Sequence, residues 1–167
     1  MSTIYTKQLR TPIGTLILGA HNDKLCLCDW VDRRDRAQID RRIQRALEAE
    51  YIEGSSQVIV QAIEELNGYF RGESHRFGTP LMPIGTPFQQ AVWREIVKIP
   101  YGTTASYKEI AARIGKSEAV RAVANAIGAN ALSLFIPCHR IIASDGGIGG
   151  YAGGLEVKRA LLKIESR

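Results

Sequence analysis

Cys138 stands in the run Ile136-Pro137-Cys138-His139-Arg140, between a rigid proline and two residues that can stabilise a thiolate. The thiolate is the reactive form of cysteine, and a neighbouring imidazole or guanidinium lowers the cost of its charge. The same five residues also describe a small apolar cysteine closing the run Leu132, Leu134, Phe135 and Ile136, and local sequence does not choose between nucleophile and core. A second group, Cys26-Leu27-Cys28 with His21 and His75, has the residue types of a zinc site. Its thiols are too closely spaced for a structural zinc pair and share one face of a predicted strand, so they read as buried cysteines, with no metal. Gly146-Gly147-Ile148-Gly149-Gly150 lacks the Gly-Lys-Ser/Thr ending of a phosphate-binding loop; its glycines instead let a loop approach closely what it covers.

The elements that must position these residues change character midway. Ile4 to Leu9, Thr15 to Ala20 and Leu25 to Trp30, separated by turn residues, predict a meander of antiparallel strands. Asp35 to Glu50 predicts a helix with Ile39, Ile43, Ala46 and Leu47 on one face and its arginines on a solvated one. Ile59, Ala62, Ile63, Leu66 and Phe70 recur at helical spacing before Gly72. Residues 1–80 therefore read as an α/β domain, residues 81–87 as a linker, and residues 88–167 as a mainly helical domain. Thr86, Pro87 and Gln89 form a capping box, Ser106 and Glu109 a second, and Ser117 is placed to cap a helix from Glu118 to Ile127. The last two helices, joined by a tight turn at Gly115, match a helix-turn-helix. Ala119, Ala122, Ala124, Ala126 and Ala129 leave only Arg121 and Asn125 long enough to reach base edges, which suits a minor groove read with little sequence preference. A helix pair packed by small residues is the plainer alternative.

A chain of 167 residues suffices for one compact domain or two small ones. Three cysteines, an odd number, and the lack of a leader pattern point to a reducing, cytoplasmic setting. No apolar run approaches the ~20 residues that span a bilayer, so no membrane partner is expected. The net charge of +5 is unevenly spread: residues 1–85 carry 11 Lys+Arg and 11 Asp+Glu, residues 86–167 carry 11 and 6. A basic half beside a neutral one points to a polyanion, nucleic acid above all.

Together these features closely resemble the O6-alkylguanine-DNA alkyltransferases, direct-reversal DNA repair proteins. The anchor is Ile136-Pro137-Cys138-His139-Arg140, supported in the family's order by Ser106-Tyr107, Arg121-Ala122-Val123, Tyr151-Ala152-Gly153-Gly154 and Glu165. Nearly all of residues 86–167 is covered; the first half matches in overall pattern only. The resemblance implies a ribonuclease H-like α/β N-terminal domain, a small antiparallel sheet plus helices, followed by a mainly α winged helix-turn-helix domain. It implies irreversible, single-turnover transfer of methyl or larger alkyl groups to Cys138 from O6 of guanine, and from O4 of thymine, in double-stranded DNA. It implies a monomer acting without a cofactor.

By resemblance Glu165 orients His139, which takes the Cys138 proton through a water, since neighbouring side chains of an extended segment point apart. Without the family, Glu165 is a solvated helix-end residue and Tyr107 an aromatic that packs the helix pair. With it, Tyr107 protonates the leaving guanine at N3. Backbone groups near Cys138 and Ile141 hold the exocyclic amine of the base, and Tyr151 and Ala152 wall the pocket. The base must leave the stack to be reached, and Arg121 fills the vacated space. Ala122, Ser106 and Thr103 join Arg121 at the DNA surface, and Asn130 braces the turn before the active-site segment. Three positions depart from the pattern of some relatives: Ala131 stands where many have proline, Gly128 where some have arginine, and Ala152 where some have serine. The first puts the stiffness of the turn in question, the second removes a phosphate contact, and the third leaves the backbone N–H intact. Three rivals remain in view: a lesion sensor, against which Cys138 itself argues, a transcription factor switched by alkylation, and a Cys-His hydrolase, for which no oxyanion-hole signature is evident.

Overall fold

The computed structural model describes residues 2–167, and the chain divides into two compact units between Ile84 and Gly85. In the first unit, β1 (Ser2–Thr11), β2 (Gly14–His21) and β3 (Lys24–Trp30) form the expected antiparallel meander. Asn22, at φ 53, sits in the two-residue turn between the paired His21 and Lys24, where asparagine tolerates left-handed backbone. The sheet is not purely antiparallel, however. Ala49–Glu53 forms β4, which runs parallel to β1, with Ser2 opposite Ala49, and gives the mixed order β3-β2-β1-β4.

Strand β4 corrects the expected helix end. Helix α1 spans Arg36–Leu47 and stops at Glu48, whose φ of 47 turns the chain into the sheet. Asp35 begins α1 without a side-chain cap, because its carboxylate is drawn to Arg33 Nε at 2.5 Å. The arginines are not all solvated either. Arg33 and Arg36 turn inward to the fully buried Asp29, at 3.1 and 3.2 Å, and Arg36 also pairs with Asp40. Burial raises the Asp29 carboxyl above its ordinary value, and the two guanidiniums offset part of that cost.

Helix α2 (Gln57–Phe70) starts at Ser56, whose hydroxyl accepts from the Ile59 N–H. Its Val58 and Ile59 pack on Ala20, while the Tyr51 hydroxyl donates to Asp40 of α1. Tyr51 neighbours Ile52, which lies opposite Tyr5 and so on the Ala20 face; the helices therefore cover opposite faces of the sheet. Each fully buried core side chain, such as Leu18, Ile43 or Leu66, contributes about 1.5–3 kcal/mol. Leu81 and Met82, assigned on sequence to the linker, instead belong to this sheet. The Leu25 N–H donates to Pro80 O and the Met82 N–H to Leu25 O.

The second unit is mainly helical. Helix α3 (Pro87–Val97) opens with the complete Thr86–Gln89 capping box. Helix α4 (Tyr107–Arg113) starts at Ser106, whose hydroxyl accepts from the Glu109 N–H; this is one half of the expected second capping box, a single cap rather than a reciprocal one, and α5 spans Val120–Gly128. Ser117 does not cap α5. Residues 116–119 form a turn closed by Ala119 N–H to Lys116 O, and the helix begins after Ala119. Helices α3, α4 and α5 pack on one another, a two-residue parallel pair joins β5 (Ala105–Ser106) to β6 (Ile141–Ile142), and α6 (Leu155–Glu165) closes the unit. Among the described residues no helix is long and apolar enough to cross a membrane.

Candidate active site

Residues 130–141 are buried without a break, although only Cys138–Arg140 forms a helical turn, of the 3-10 type. A buried loop must satisfy its backbone from within. Asn130 does much of this: its Oδ1 accepts from the Leu132 N–H at 2.9 Å and its Nδ2 donates to Ile136 O at 3.0 Å. The same Nδ2 lies 3.1 Å from Cys138 Sγ, so the brace also donates to the sulfur. The Cys138 thiol in turn points at Ile127 O, 3.6 Å away at the end of α5. Trp93 holds that helix end from the other side, its Nε1 donating to Ala126 O at 2.8 Å. Leu134 carries a φ of 74, a strained value for leucine that the surrounding packing enforces.

The 3-10 turn corrects the expectation of an extended active-site segment. Successive side chains in such a turn are about 120° apart, so His139 still points away from Cys138. His139 is fully buried, and its Nε2 lies 2.6 Å from Glu165 Oε2. Glu165 is 5% exposed, not a solvated helix end. Arg140 Nε and NH2 donate to the two oxygens of Glu165, at 2.8 and 3.1 Å, and the Gly102 N–H donates to Oε1 at 3.2 Å. Glu165 held this way is an ionised acceptor, which puts the imidazole proton on Nε2 and leaves Nδ1 with a lone pair. Among the described residues Nδ1 has no hydrogen-bond partner. Burial, foremost, lowers the His139 pKa, with Glu165 opposing and Arg140 and Lys158 adding to the fall. The imidazole is thus neutral near pH 7 and able to accept a proton.

Arg140 therefore serves Glu165 rather than the thiolate, the role its place beside His139 first suggested. Its third contact, NH1 to Ile99 O at 2.7 Å, ties the turn to the end of α3. The signal in the sequence was the arginine itself; only the fold revealed which anion it meets.

Tyr107 lies at the start of α4, half-buried, its hydroxyl accepting from the Gly150 N–H at 3.2 Å. Burial and the nearby Cys138 raise its pKa, and the Gly150 contact opposes them, so the phenol keeps its proton. The glycine run is needed here: a Cβ on Gly149, at φ +73, would lie 2.6 Å from the Tyr107 hydroxyl. Tyr151 meets His139 edge-on at 6.4 Å, and Ala152 follows it, half-buried. The Ile141 carbonyl accepts from Lys158 Nζ, a buried lysine that the sequence reading missed. Its signal was available, since Lys158 shares the inner stripe of α6 with Leu161, Ile164 and Glu165.

Among the remaining residues, Arg121 and Ala122 are exposed on α5. Ser106 is 8% exposed and its hydroxyl is spent on the helix cap, while the Thr103 hydroxyl donates to Pro100 O. Cys26 and Cys28 are buried in β3; burial pushes the Cys26 thiol up to about 12.

Comparison with known proteins converges on one family. A profile described as 6-O-methylguanine DNA methyltransferase, DNA binding domain, matches residues 87–167. The methylated-DNA–protein-cysteine methyltransferase of Methanosarcina barkeri is 40% identical over 162 residues, 97% of each chain. Among solved structures, the O6-methylguanine methyltransferase of Mycobacterium tuberculosis superposes with a TM-score of 0.82 at 36% identity, covering 98% of this chain and 93% of that one. The OGT of the same organism in complex with DNA also gives a TM-score of 0.82, at 37% identity, over 98% and 92% of the two chains. With the thiol, imidazole and carboxylate set out as above and relatives matched over nearly its whole length, the chain belongs to the methylated-DNA–protein-cysteine methyltransferase family.

Proposed function

We propose that this protein repairs double-stranded DNA by direct reversal, moving methyl or larger alkyl groups from O6 of guanine, and from O4 of thymine, to Cys138. The observation that carries this reading is the buried His139–Glu165 pair at 2.6 Å, beside a cysteine whose sulfur is held by Asn130. His139 Nδ1 takes the thiol proton through a bridging water, and Glu165, anchored by Arg140, stabilises the imidazolium. The thiolate attacks the alkyl carbon. A sulfur–carbon bond forms, the carbon–O6 bond breaks with its electron pair left on the purine, and Tyr107 protonates the purine at N3. The proton taken up by His139 returns through solvent to Tyr107, so the protons balance. The thioether is not a leaving group, so each chain acts once.

The base reaches the thiol by leaving the helix stack. Arg121 and Ala122 on the exposed face of α5 enter the minor groove, Arg121 filling the vacated space, with the Thr103 turn beside them. Ser106 contributes by fixing the start of α4. Backbone groups near Cys138 and Ile141 hold the exocyclic amine, and Tyr151 and Ala152 wall the pocket. We read the second unit as a winged helix-turn-helix, with β5 and β6 in support of the wing, and the first as ribonuclease H-like, which its mixed order β3-β2-β1-β4 supports. The protein acts as a monomer, and its three free cysteines suit a reducing cytoplasm.

The test is intact-protein and peptide mass spectrometry after incubation with excess duplex containing O6-methylguanine. One methyl group per chain is expected, on Cys138, with no second turnover. Equal repair by Cys138→Ser would overturn the reading.

A further inference from the structure

Lys158 is a buried charge to which the transfer described above gives no task. It is 0% exposed, on the inner face of α6. Its Nζ donates to Ile141 O at 2.5 Å and to Gly150 O at 3.0 Å, and stands 6.0 Å from the centre of the Tyr107 ring. Two carbonyls accept from the ammonium, which has three hydrogens, but bring no counter-charge. Among the described residues no carboxylate pairs with it, and Glu165, on the same helix face, is taken up by Arg140 and His139. Burying an ammonium uncompensated is costly, and a site retains such a charge when something in it needs a cation.

The surrounding groups narrow what that is. The Cys138–Arg140 turn presents Cys138, His139 and Arg140, α4 presents Tyr107, and α6 itself presents Glu165. Arg140 and Glu165 cancel, and His139 is neutral at rest. Cys138 and Tyr107 are the groups on which the reaction places negative charge. Burial, foremost, brings the Lys158 ammonium down to about 8, and negative charge on Cys138 opposes that fall.

We propose, on the basis of the alkyl-transfer reading, that Lys158 is a positioning residue for the reaction: a fixed buried cation that keeps the migrating negative charge within the site. The charge lies first on Cys138 Sγ, passes to the purine as the carbon–O6 bond breaks, and passes to the Tyr107 oxygen as its proton moves to N3. Through the carbonyls of Ile141 and Gly150, Lys158 also holds the pocket floor against the loop that carries Tyr151.

Lys158→Gln keeps hydrogen-bond donors without the charge, and Lys158→Met keeps neither. Two readouts are compared with the unaltered protein: the pH dependence of Cys138 alkylation by iodoacetamide, and the rate of reaction with O6-benzylguanine. Both variants should raise the midpoint of thiol ionisation by a similar amount and slow transfer at neutral pH, about tenfold for each unit of that rise. A glutamine variant that matches the unaltered protein while the methionine variant fails would make Lys158 a structural clamp and overturn the proposal, as would two unaffected variants. If neither variant folds, NMR titration of Lys158 in the unaltered protein and in Cys138→Ser decides: a lower midpoint in the serine protein is expected, and equal midpoints overturn the proposal. Failure of the unaltered protein itself to become alkylated on Cys138 is a different result, which overturns the function on which the proposal rests.

Discussion

At the residue scale, His139 is held between opposing influences, burial against the Glu165 carboxylate. Its folded pKa lies below the 6.5 of the free side chain. As pH falls below 6.5 the unfolded chain binds a proton that the folded one refuses, so this one group's contribution to stability is fully present above about pH 6.5 and is lost progressively as pH falls from there towards the lower folded value. Thermal unfolding followed from pH 8 to 5 should be flat at first and then decline, while transfer should begin to fall only at lower pH, where the folded imidazole itself takes up a proton. Glu165→Gln separates the two roles of the carboxylate. It leaves Arg140 buried without its anion, at a cost of about 3–5 kcal/mol in denaturant unfolding, and slows transfer about a hundredfold or more by weakening the base. A variant with unchanged rate would remove Glu165 from the relay. Arg140→Lys should destabilise as well, because a lysine cannot reproduce the two-pronged contact at 2.8 and 3.1 Å.

At the scale of elements, the active-site loop depends on the end of α5. Ala126 O receives Trp93 and Ile127 O receives the Cys138 thiol, so one helix terminus registers both α3 and the nucleophile. Trp93→Phe keeps the apolar ring and removes the N–H, leaving the Ala126 carbonyl with the Ala129 N–H but without its 2.8 Å indole donor. We expect a loss of about 1–2 kcal/mol in urea unfolding and slower transfer, with a greater fractional loss on duplex than on free O6-benzylguanine, because α5 is the proposed groove-binding helix. Equal losses on both substrates would confine Trp93 to packing. The helix caps show how much of this level local sequence encodes. Thr86 with Gln89 and Ser106 with Glu109 act through contacts three residues apart, and both mark their helix starts as expected. Ser117 had the same residue type, but the chain closes a turn at Ala119 before α5 begins. Strand β4 escaped notice because its partner, β1, lies more than forty residues away and only Ala49 of its five residues is buried.

At the scale of the whole chain, the excess positive charge lies after residue 85, in the unit that carries α5 and Cys138. Binding to undamaged duplex should therefore weaken as salt rises from 50 to 200 mM, about a hundredfold if roughly four phosphates are neutralised. Affinity independent of salt would argue against the basic unit as the DNA surface. The sequence by itself determined the starts of α3 and α4, the antiparallel meander β1 to β3 and, through the run around Cys138, membership of one family. It could do so because caps, periodicities and motifs are local or follow chain order. Only the tertiary structure decided that Arg140 meets Glu165, that Asn130 reaches the sulfur, that Arg33 and Arg36 turn in upon Asp29, and that Lys158 is buried against Ile141 and Gly150. Which charge meets which is set by burial and by contacts between distant segments, and residue type alone records neither.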